Sequence, residues 1–394
     1  MSIGQFFKVV VIVERKSIVF LINSIAGGGA ERVMMRLIDC SREQLVGYDF
    51  HLVLLDIEEE AYAIPDWVTV HRLNSRKRTL SSIKGLWILL RKLRPRLVLS
   101  FLTRANIANV IVAKLLGHCC VISERANTSA HHAHGMVGRL SKLLIRQCYS
   151  RADAVIAVAA GIADDLVSNY DVRRDSVHVI ANPVDAATIQ RLAAEPSTIT
   201  VPRPYIVGMG RFVRSKNFAL LLDAFAGSKL DGFDLVVMGQ GPLEKDLRDH
   251  ASDIGLGARV HFPGFLANPF PVIAGAYAYV LPSNGEGFPN GLVEAMVTGV
   301  PVIATDCPSG PAEILDYRAE GQITKLHGGK HGLLVPMNDK AAMIDALNCV
   351  IQPGERDRLA TAASTGAARY GLERAVARYW DVITHALTVQ GARR

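Results

Sequence analysis

The stretch "AYVLPSNGEGFPNGLVEAM" (Ala278–Met296) reads as a buried strand, a glycine-rich loop and the start of a helix. Apolar residues fill the first four positions, as in a strand covered on both faces. Pro289 suits the first turn of a helix, where its missing N–H costs nothing. The N–H groups of Asn290, Gly291 and Leu292 are then expected to be free to meet phosphate oxygens. Two carboxylates, Glu286 and Glu294, stand eight positions apart around this hinge. Glu294 falls one turn past Asn290, on the same helix face. A carboxylate repels phosphate, but it accepts two hydrogen bonds from a vicinal diol such as a ribose. Glu286, on the loop, is placed to reach the hydroxyls of a second sugar.

Upstream, "VGMGRFVRSKN" (Val207–Asn217) supplies the opposite charge. A strand ends at Met209, Gly210 lets the backbone turn closely, and Arg211 and Lys216 follow. The donor fork of arginine suits phosphate, and lysine adds a mobile point charge. With the helix start and both acids, these cations describe one extended ligand: ribose, diphosphate, sugar.

Further out, strand-like runs alternate with helical patterns. "SIVFLINS", "FHLVLLD", "VTVHRL", "RLVLSFL", "CCVISE", "AVIAVA" and "VHVIAN" form a first series. "YIVGMGR", "FDLVVMG", "RVHFPG", "AYVLPS", "PVIATD" and "HGLLVP" form a second. Continuous apolar strands separated by helices mean parallel sheets in an α/β protein. The expected architecture is two doubly wound, Rossmann-like domains facing a central cleft, with ligands outside the carboxyl ends of the strands. Residues 183–203 carry Pro183, Pro196 and Pro202 and no strand, so they read as a linker between domains at 1–182 and 204–371. Residues 372–394 form an amphipathic helix with Val376, Tyr379, Trp380, Ile383 and Leu387 on one stripe, free to pack on either domain.

Composition fits two globular cores: 49% of the 394 residues are hydrophobic and 21% charged. No apolar run has the length of a membrane span, and the early run "KVVVIVERKSIVFLI" lacks a signal-peptide cleavage site, so a cytoplasmic protein is expected. The six cysteines form no C-x-x-C pair and read as small core residues in a reducing compartment. "AHHAHG" (His131, His132, His134) has no acidic or thiol ligand at helical spacing and reads as a polar loop. Charge is uneven. Up to Arg174 there are 24 Lys and Arg against 15 Asp and Glu, and beyond it 20 against 22. The basic surplus of the first half implies an anionic partner there. Its helical stretches "SSIKGLWILLRKLRPR" and "MVGRLSKLLIRQCYSR" set Lys84, Arg91, Lys92, Arg94 and Arg96, and Arg139, Lys142 and Arg146, beside apolar residues. That pattern suits an anionic membrane surface or a solvated helix face. Nucleic acid is not expected, because the aromatics do not interleave with the charges.

These motifs resemble the E-x(7)-E signature of the retaining GT-B glycosyltransferases, in particular family four. "GRFVRSKNFALLLDAFA", "VVMGQGPLEKDL", "VHFPGFLAN", "LPSNGEGFPNGLVEAMVTGVPVIATD" and "HGLLVPMND" follow its pattern in order, across most of residues 204–350. "GGGAERVMMRL" and "VIANPVD" match the first domain more loosely. The resemblance implies that Arg211 and Lys216 hold the donor diphosphate and stabilise the leaving group. It implies that Glu286 contacts the transferred sugar and Glu294 the ribose. Phe288, Pro289, Asn290, Gly291 and Leu292 would line sugar and phosphates through their backbone, and Phe265 and Leu266 would frame the base.

In the first domain, "SIAGGGAER" is a loop in which Gly28 and Gly29 allow close approach of a phosphate or sugar. Read as a dinucleotide fingerprint it fails, since Arg32 stands at the third glycine position; Asp56 would then have been the ribose acid. Many relatives carry a histidine after the fifth strand, where this chain has Glu124 and Arg125 in "VISERAN". Glu124, Arg125 and Arg104 are therefore acceptor-site candidates, with surface ion pairing as the alternative. The chain has no D-x-D, so no metal or other cofactor is expected beyond a nucleoside diphosphate sugar as co-substrate. The resemblance implies transfer of a hexose or N-acetylhexosamine, from a UDP-sugar in preference to GDP-mannose. The acceptor is expected to be a lipid-linked or membrane-associated glycan, at the cytoplasmic face of the inner membrane. Competing expectations are an epimerase or hydrolase of the same plan, and a catalytically silent binding subunit.

Overall fold

A computed structural model describes residues 17–131, 135–319 and 321–392. The run up to Lys16, His132, His134 and the side chains of His131 and Arg139 lie outside the described residues. The first sheet holds β1 (Ser17–Ile22), β2 (Asp49–Leu54), β3 (Thr69–Arg72), β4 (Leu97–Phe101), β5 (Cys119–Glu124), β6 (Ala154–Ala157) and β7 (Val177–Val179). The second holds β8 (Tyr205–Met209), β9 (Asp234–Met238), β10 (Val260–Gly264), β11 (Ala278–Leu281), β12 (Val302–Thr305), β13 (His327–Gly328) and β14 (Leu333–Val335). Every apolar run singled out in the sequence contributes a strand. The exception runs the other way: β13 is a two-residue antiparallel edge whose His327 and Gly328 give no apolar signal.

The first sheet is ordered β3-β2-β1-β4-β5-β6-β7 and wholly parallel. The second is ordered β10-β9-β8-β11-β12-β14-β13 and parallel up to its last strand. Residues of β1, β4, β5, β9, β11 and β12 are all buried, which explains why these strands lack polar alternation. Strand order reverses at β1/β4 and at β8/β11. Crevices open at such points, and they place the glycine loop after β1 and the Arg211 loop after β8 at the carboxyl edges of their sheets.

The segment after Pro183 is more than a connector. It contains the helix Ala186–Ala193, begun by the Asp185 carboxylate accepting the Thr188 N–H at 3.0 Å. Ile189 buries that helix in the core shared with Leu292 and Met296. The chain returns to the first domain through the helix Leu372–Ala392. Its Val376, Tyr379, Val382, Ile383, Ala386 and Leu387 join Ile18, Phe20, Leu97 and Leu99 in one core. Trp380 Nε1 donates to Ser41 Oγ at 2.8 Å. The two crossings between domains touch: the Val184 N–H donates to the Tyr370 carbonyl at 2.8 Å, and Val184 bridges Gly371 in parallel.

Fully burying one large apolar side chain is worth about 1.5–3 kcal/mol, so this helix is part of what holds the first domain together. Ile383→Ala should lower the first domain's stability by about 2–5 kcal/mol in chemical denaturation. A loss below about 0.5 kcal/mol, the size of an ordinary surface change, would show the helix to be dispensable.

Candidate active site

The loop after β8 is pinned by Phe212, which is fully buried, while Arg211 beside it is exposed. The Arg211 guanidinium makes no ion pair among the described residues. A short 3₁₀ turn, Arg214–Lys216, then aims Lys216 at the loop after β11. There Lys216 Nζ lies 2.5 Å from Glu286 Oε1, which also accepts Ser283 Oγ at 2.6 Å. The two loops are tied through their backbones, the Asn284 N–H donating to the Ser215 carbonyl at 2.8 Å. Lys216 and Glu286, far apart in sequence, are thus one unit.

The helix after that loop runs Asn290–Val297, one residue later than a helical Pro289 requires. Pro289 is the N-cap, and its carbonyl accepts the Leu292 N–H at 3.0 Å. The expectation of three free N–H groups is corrected to two, since of the three only those of Asn290 and Gly291 lack a partner among the described residues. Gly291 is also demanded by packing, because a side chain there would meet the buried Tyr279 hydroxyl at 2.8 Å. Glu294, on the first turns of this helix, is buried at 4% exposure. Phe288 turns inward onto Tyr370, ring centroids 5.3 Å apart. Past β10, Phe265 is 73% exposed and Leu266 is half-buried.

The first domain closes onto this surface. Its helix Gly29–Asp39 starts at the glycine loop with no side-chain cap. A side chain at Gly28 would collide with the Glu31 carboxylate, and one at Gly29 would lie 2.8 Å from Asn290 Nδ2. The two glycines therefore admit protein groups, and two helix N-termini face each other. Burial raises the Glu31 carboxyl above its ordinary range, opposed by its own N–H and by the charges of Arg125 and Arg211. Arg32 Nη2 forms an ion pair with Glu294 Oε1 across the cleft. Asn182 Nδ2 donates to Asn290 Oδ1 at 2.8 Å, and Asn127 Nδ2 to Ser309 Oγ at 3.1 Å. The Glu313 carboxylate accepts the N–H groups of Ala160 and Gly161 at 2.8 and 2.7 Å, capping the helix Ala160–Tyr170 of the other domain. Between these last elements lies a cavity of about 800 Å³, lined by Asn127, Ser129, Gly161, Asp165, Pro308 and Glu313 among others.

Arg104, Glu124 and Arg125 have internal partners. Arg104 pairs with Asp56 and donates to Ser82 Oγ at 3.1 Å, which also removes Asp56 as a ribose acid. Burial pushes the Asp56 carboxyl up, and the bonds from Arg104 and the Lys77 N–H pull it below its usual range. Glu124 accepts Tyr149 Oη and the Arg125 and Ala126 N–H groups, with burial raising its carboxyl. Arg125 donates to Tyr379 Oη and Asn182 Oδ1, each at 2.7 Å, and covers the Phe101 ring at 4.4 Å. These three hold up the wall of the cleft. Sequence reasoning passed over Arg32, Asn182, Asn127 and Glu313, and only Arg32, one turn past the glycine loop, carried a positional signal. Among the described residues no group of three or more His, Cys, Asp or Glu is placed to hold a metal ion.

Two Rossmann-like domains flanking a cleft are the plan of the GT-B glycosyltransferases. The comparisons agree domain by domain. Residues 27–188 match the family described as Glycosyltransferase Family 4, and residues 203–352 the one described as Glycosyl transferases group 1. The chain belongs to this family of glycosyltransferases. It is similar to the N-acetylgalactosamine-N,N'-diacetylbacillosaminyl-diphospho-undecaprenol 4-alpha-N-acetylgalactosaminyltransferase of Campylobacter jejuni, with 28% identity covering 84% of this chain and 89% of that protein. The lipopolysaccharide core biosynthesis glycosyltransferase LpsE of Rhizobium meliloti is 28% identical over 57% of this chain and 62% of its own length. In fold, Anabaena HepE in complex with UDP superposes with a TM-score of 0.73 at 18% identity, covering 94% of this chain and all of that one.

Gly287 marks how tightly the domains meet, since a side chain there would collide with the Arg125 carbonyl. Gly287→Ala should wedge the cleft open. Small-angle scattering should report a larger radius of gyration with unchanged helical content by circular dichroism; an unaltered radius would refute the tight closure.

Proposed function

We propose that this glycosyltransferase moves a hexose or N-acetylhexosamine from a nucleoside diphosphate sugar to a hydroxyl of a lipid-linked or membrane-associated glycan, with retention at the anomeric carbon. The observation that carries the reading is the Lys216–Glu286 contact beside Arg211 and the start of the Asn290–Val297 helix. As the glycosidic bond breaks, negative charge grows on the diphosphate. Arg211, Lys216 and the Asn290 and Gly291 N–H groups meet it in place, which lowers the barrier without reorganisation at that moment. Glu286 holds the transferred sugar's hydroxyls and keeps Lys216 oriented. Glu294 takes the ribose. Gly210 lets the Arg211 loop pass close to the phosphates, and the exposed Phe265, with Leu266, faces the base. The departing phosphate oxygen, on the same face as the incoming hydroxyl, takes that hydroxyl's proton; no protein nucleophile is required.

UDP is the favoured nucleotide, in line with the UDP-bound HepE structure of the same fold. The acceptor sugar enters through the 800 Å³ cavity. That cavity adjoins the transferred sugar, because Pro308 on its wall accepts the Glu286 N–H at 3.1 Å. A diphospho-undecaprenol-linked substrate in the name of the Campylobacter jejuni relative supports a lipid-linked acceptor. No helix among the described residues is long and apolar enough to cross a membrane, so docking at the bilayer would be peripheral. The surface fits that role. The helix Thr79–Leu93 exposes Leu80 and Ile88 beside Lys84, Arg91 and Lys92, and the helix Gly135–Tyr149 exposes Leu143 and Leu144 beside Arg146.

Alanine at Arg211 or Lys216 should cut turnover by about 10²–10³-fold with the fold intact by circular dichroism. Near-normal turnover would remove the leaving-group role. Binding to liposomes should rise with anionic lipid and fall with salt, as measured by co-sedimentation. Binding indifferent to lipid charge would end the membrane-docking reading.

A further inference from the structure

We propose that Arg32 is a positioning residue of the donor site, through which the first domain completes the second domain's ribose subsite only when the cleft is closed. The inference rests on the reading of Glu294 as the ribose acid and adds to it a partner from the opposite domain.

Arg32 belongs to the helix Gly29–Asp39 and Glu294 to the helix Asn290–Val297, on opposite sides of the cleft. Their ion pair is made by Arg32 Nη2 and Glu294 Oε1, with side-chain exposures of 31% and 5%. No other hydrogen bond reaches the Glu294 side chain among the described residues. Oε2 is therefore left for a sugar hydroxyl, while Oε1 is fixed by the guanidinium. A carboxylate this deeply placed needs a cation, because an uncompensated buried charge is strongly unfavourable. Within the second domain Lys216 is engaged at 2.5 Å by Glu286, and Arg32 is the cation that pairs with Glu294 among the described residues. The counter-ion of Glu294 is thus supplied from outside its own domain. Opening the cleft would leave Glu294 without its partner and free to turn away from the ribose position. Donor recognition and domain closure become one equilibrium, each favouring the other by the same free energy. The Asn182–Asn290 and Glu313–Ala160 contacts also favour closure but do not touch Glu294, so they provide the control.

The test is calorimetric binding of UDP and of 2′,3′-dideoxy-UDP to the full chain, with GDP and its dideoxy analogue used instead should the wild type prefer guanosine. Arg32→Ala should weaken the ribonucleotide about tenfold or more and the dideoxy analogue much less. Glu294→Gln should do the same, and the double variant should bind no worse than Glu294→Gln alone, since the two act as a unit. Arg32→Lys should recover part of the loss. Glu313→Gln, which loosens closure elsewhere, should also weaken the ribonucleotide more than the dideoxy analogue, and that difference should vanish in the Arg32→Ala background. Arg32→Ala binding within twofold of wild type, or losses that add in the double variant, would overturn the coupling. If Glu294→Gln lowers ribo- and dideoxynucleotide binding equally, the ribose reading itself fails, and the proposal with it.

Discussion

Two buried carboxylates set the terms for this molecule. Glu286 and Glu294 have little exposed side chain, and each has a cation close at hand. Lys216 meets Glu286 from a neighbouring loop of the same domain; Arg32 meets Glu294 from the other domain. That difference divides the site into a preformed half and an assembled half. The preformed half, Lys216 with Glu286, lies on loops leaving β8 and β11 of one sheet. The assembled half, Arg32 with Glu294, draws one member from each domain.

Closure combines apolar packing, since one buried cluster takes in residues of both domains, with several polar contacts. Asn127 meets Ser309, Asn182 meets Asn290, Glu313 meets two N–H groups, and Gly287 lets two backbones touch. Water can replace hydrogen bonds of this kind at modest net cost, around 1 kcal/mol each. Contacts of this kind suit a cleft that an enzyme must open to admit a donor and an acceptor and to release two products. The chain of bonds from Tyr379 through Arg125 and Asn182 to Asn290 links the C-terminal helix to the start of the Asn290–Val297 helix. The last helix thereby contributes to the site without approaching the substrate.

The apolar runs made both sheets legible, because parallel strands buried on two faces leave continuous Val, Ile and Leu stretches in the sequence. β13 escaped for the same reason in reverse, being an edge pair of His327 and Gly328 with nothing to bury. Strand ends were readable as well: the loops after β8 and β11 leave the same edge of one sheet, and that brings Lys216 to Glu286. Contacts between domains were not readable. Nothing in "GGGAER" says that its arginine will meet Glu294, and nothing in "VIANPVD" says that Asn182 joins Arg125 to Asn290. The Leu292 N–H was misjudged for a smaller reason: the helix begins one residue later than Pro289 alone suggests, and the proline carbonyl takes the bond. Glu124 and Arg125 were acceptor-site candidates because they stand where many relatives carry a histidine. Here they are buried, and the surrounding hydroxyl, amide and ring groups absorb them.

The polypeptide passes between the domains twice, and at Val184 and Gly371 the passages lie side by side, joined by a backbone hydrogen bond. One strand of chain would act as a swivel, leaving twist, slide and bend all free. Two strands fastened together suppress the twist and the slide and keep the bend. Any parting of the halves would then follow a fixed arc, and closing along it would return Arg32 to the same carboxylate without a search.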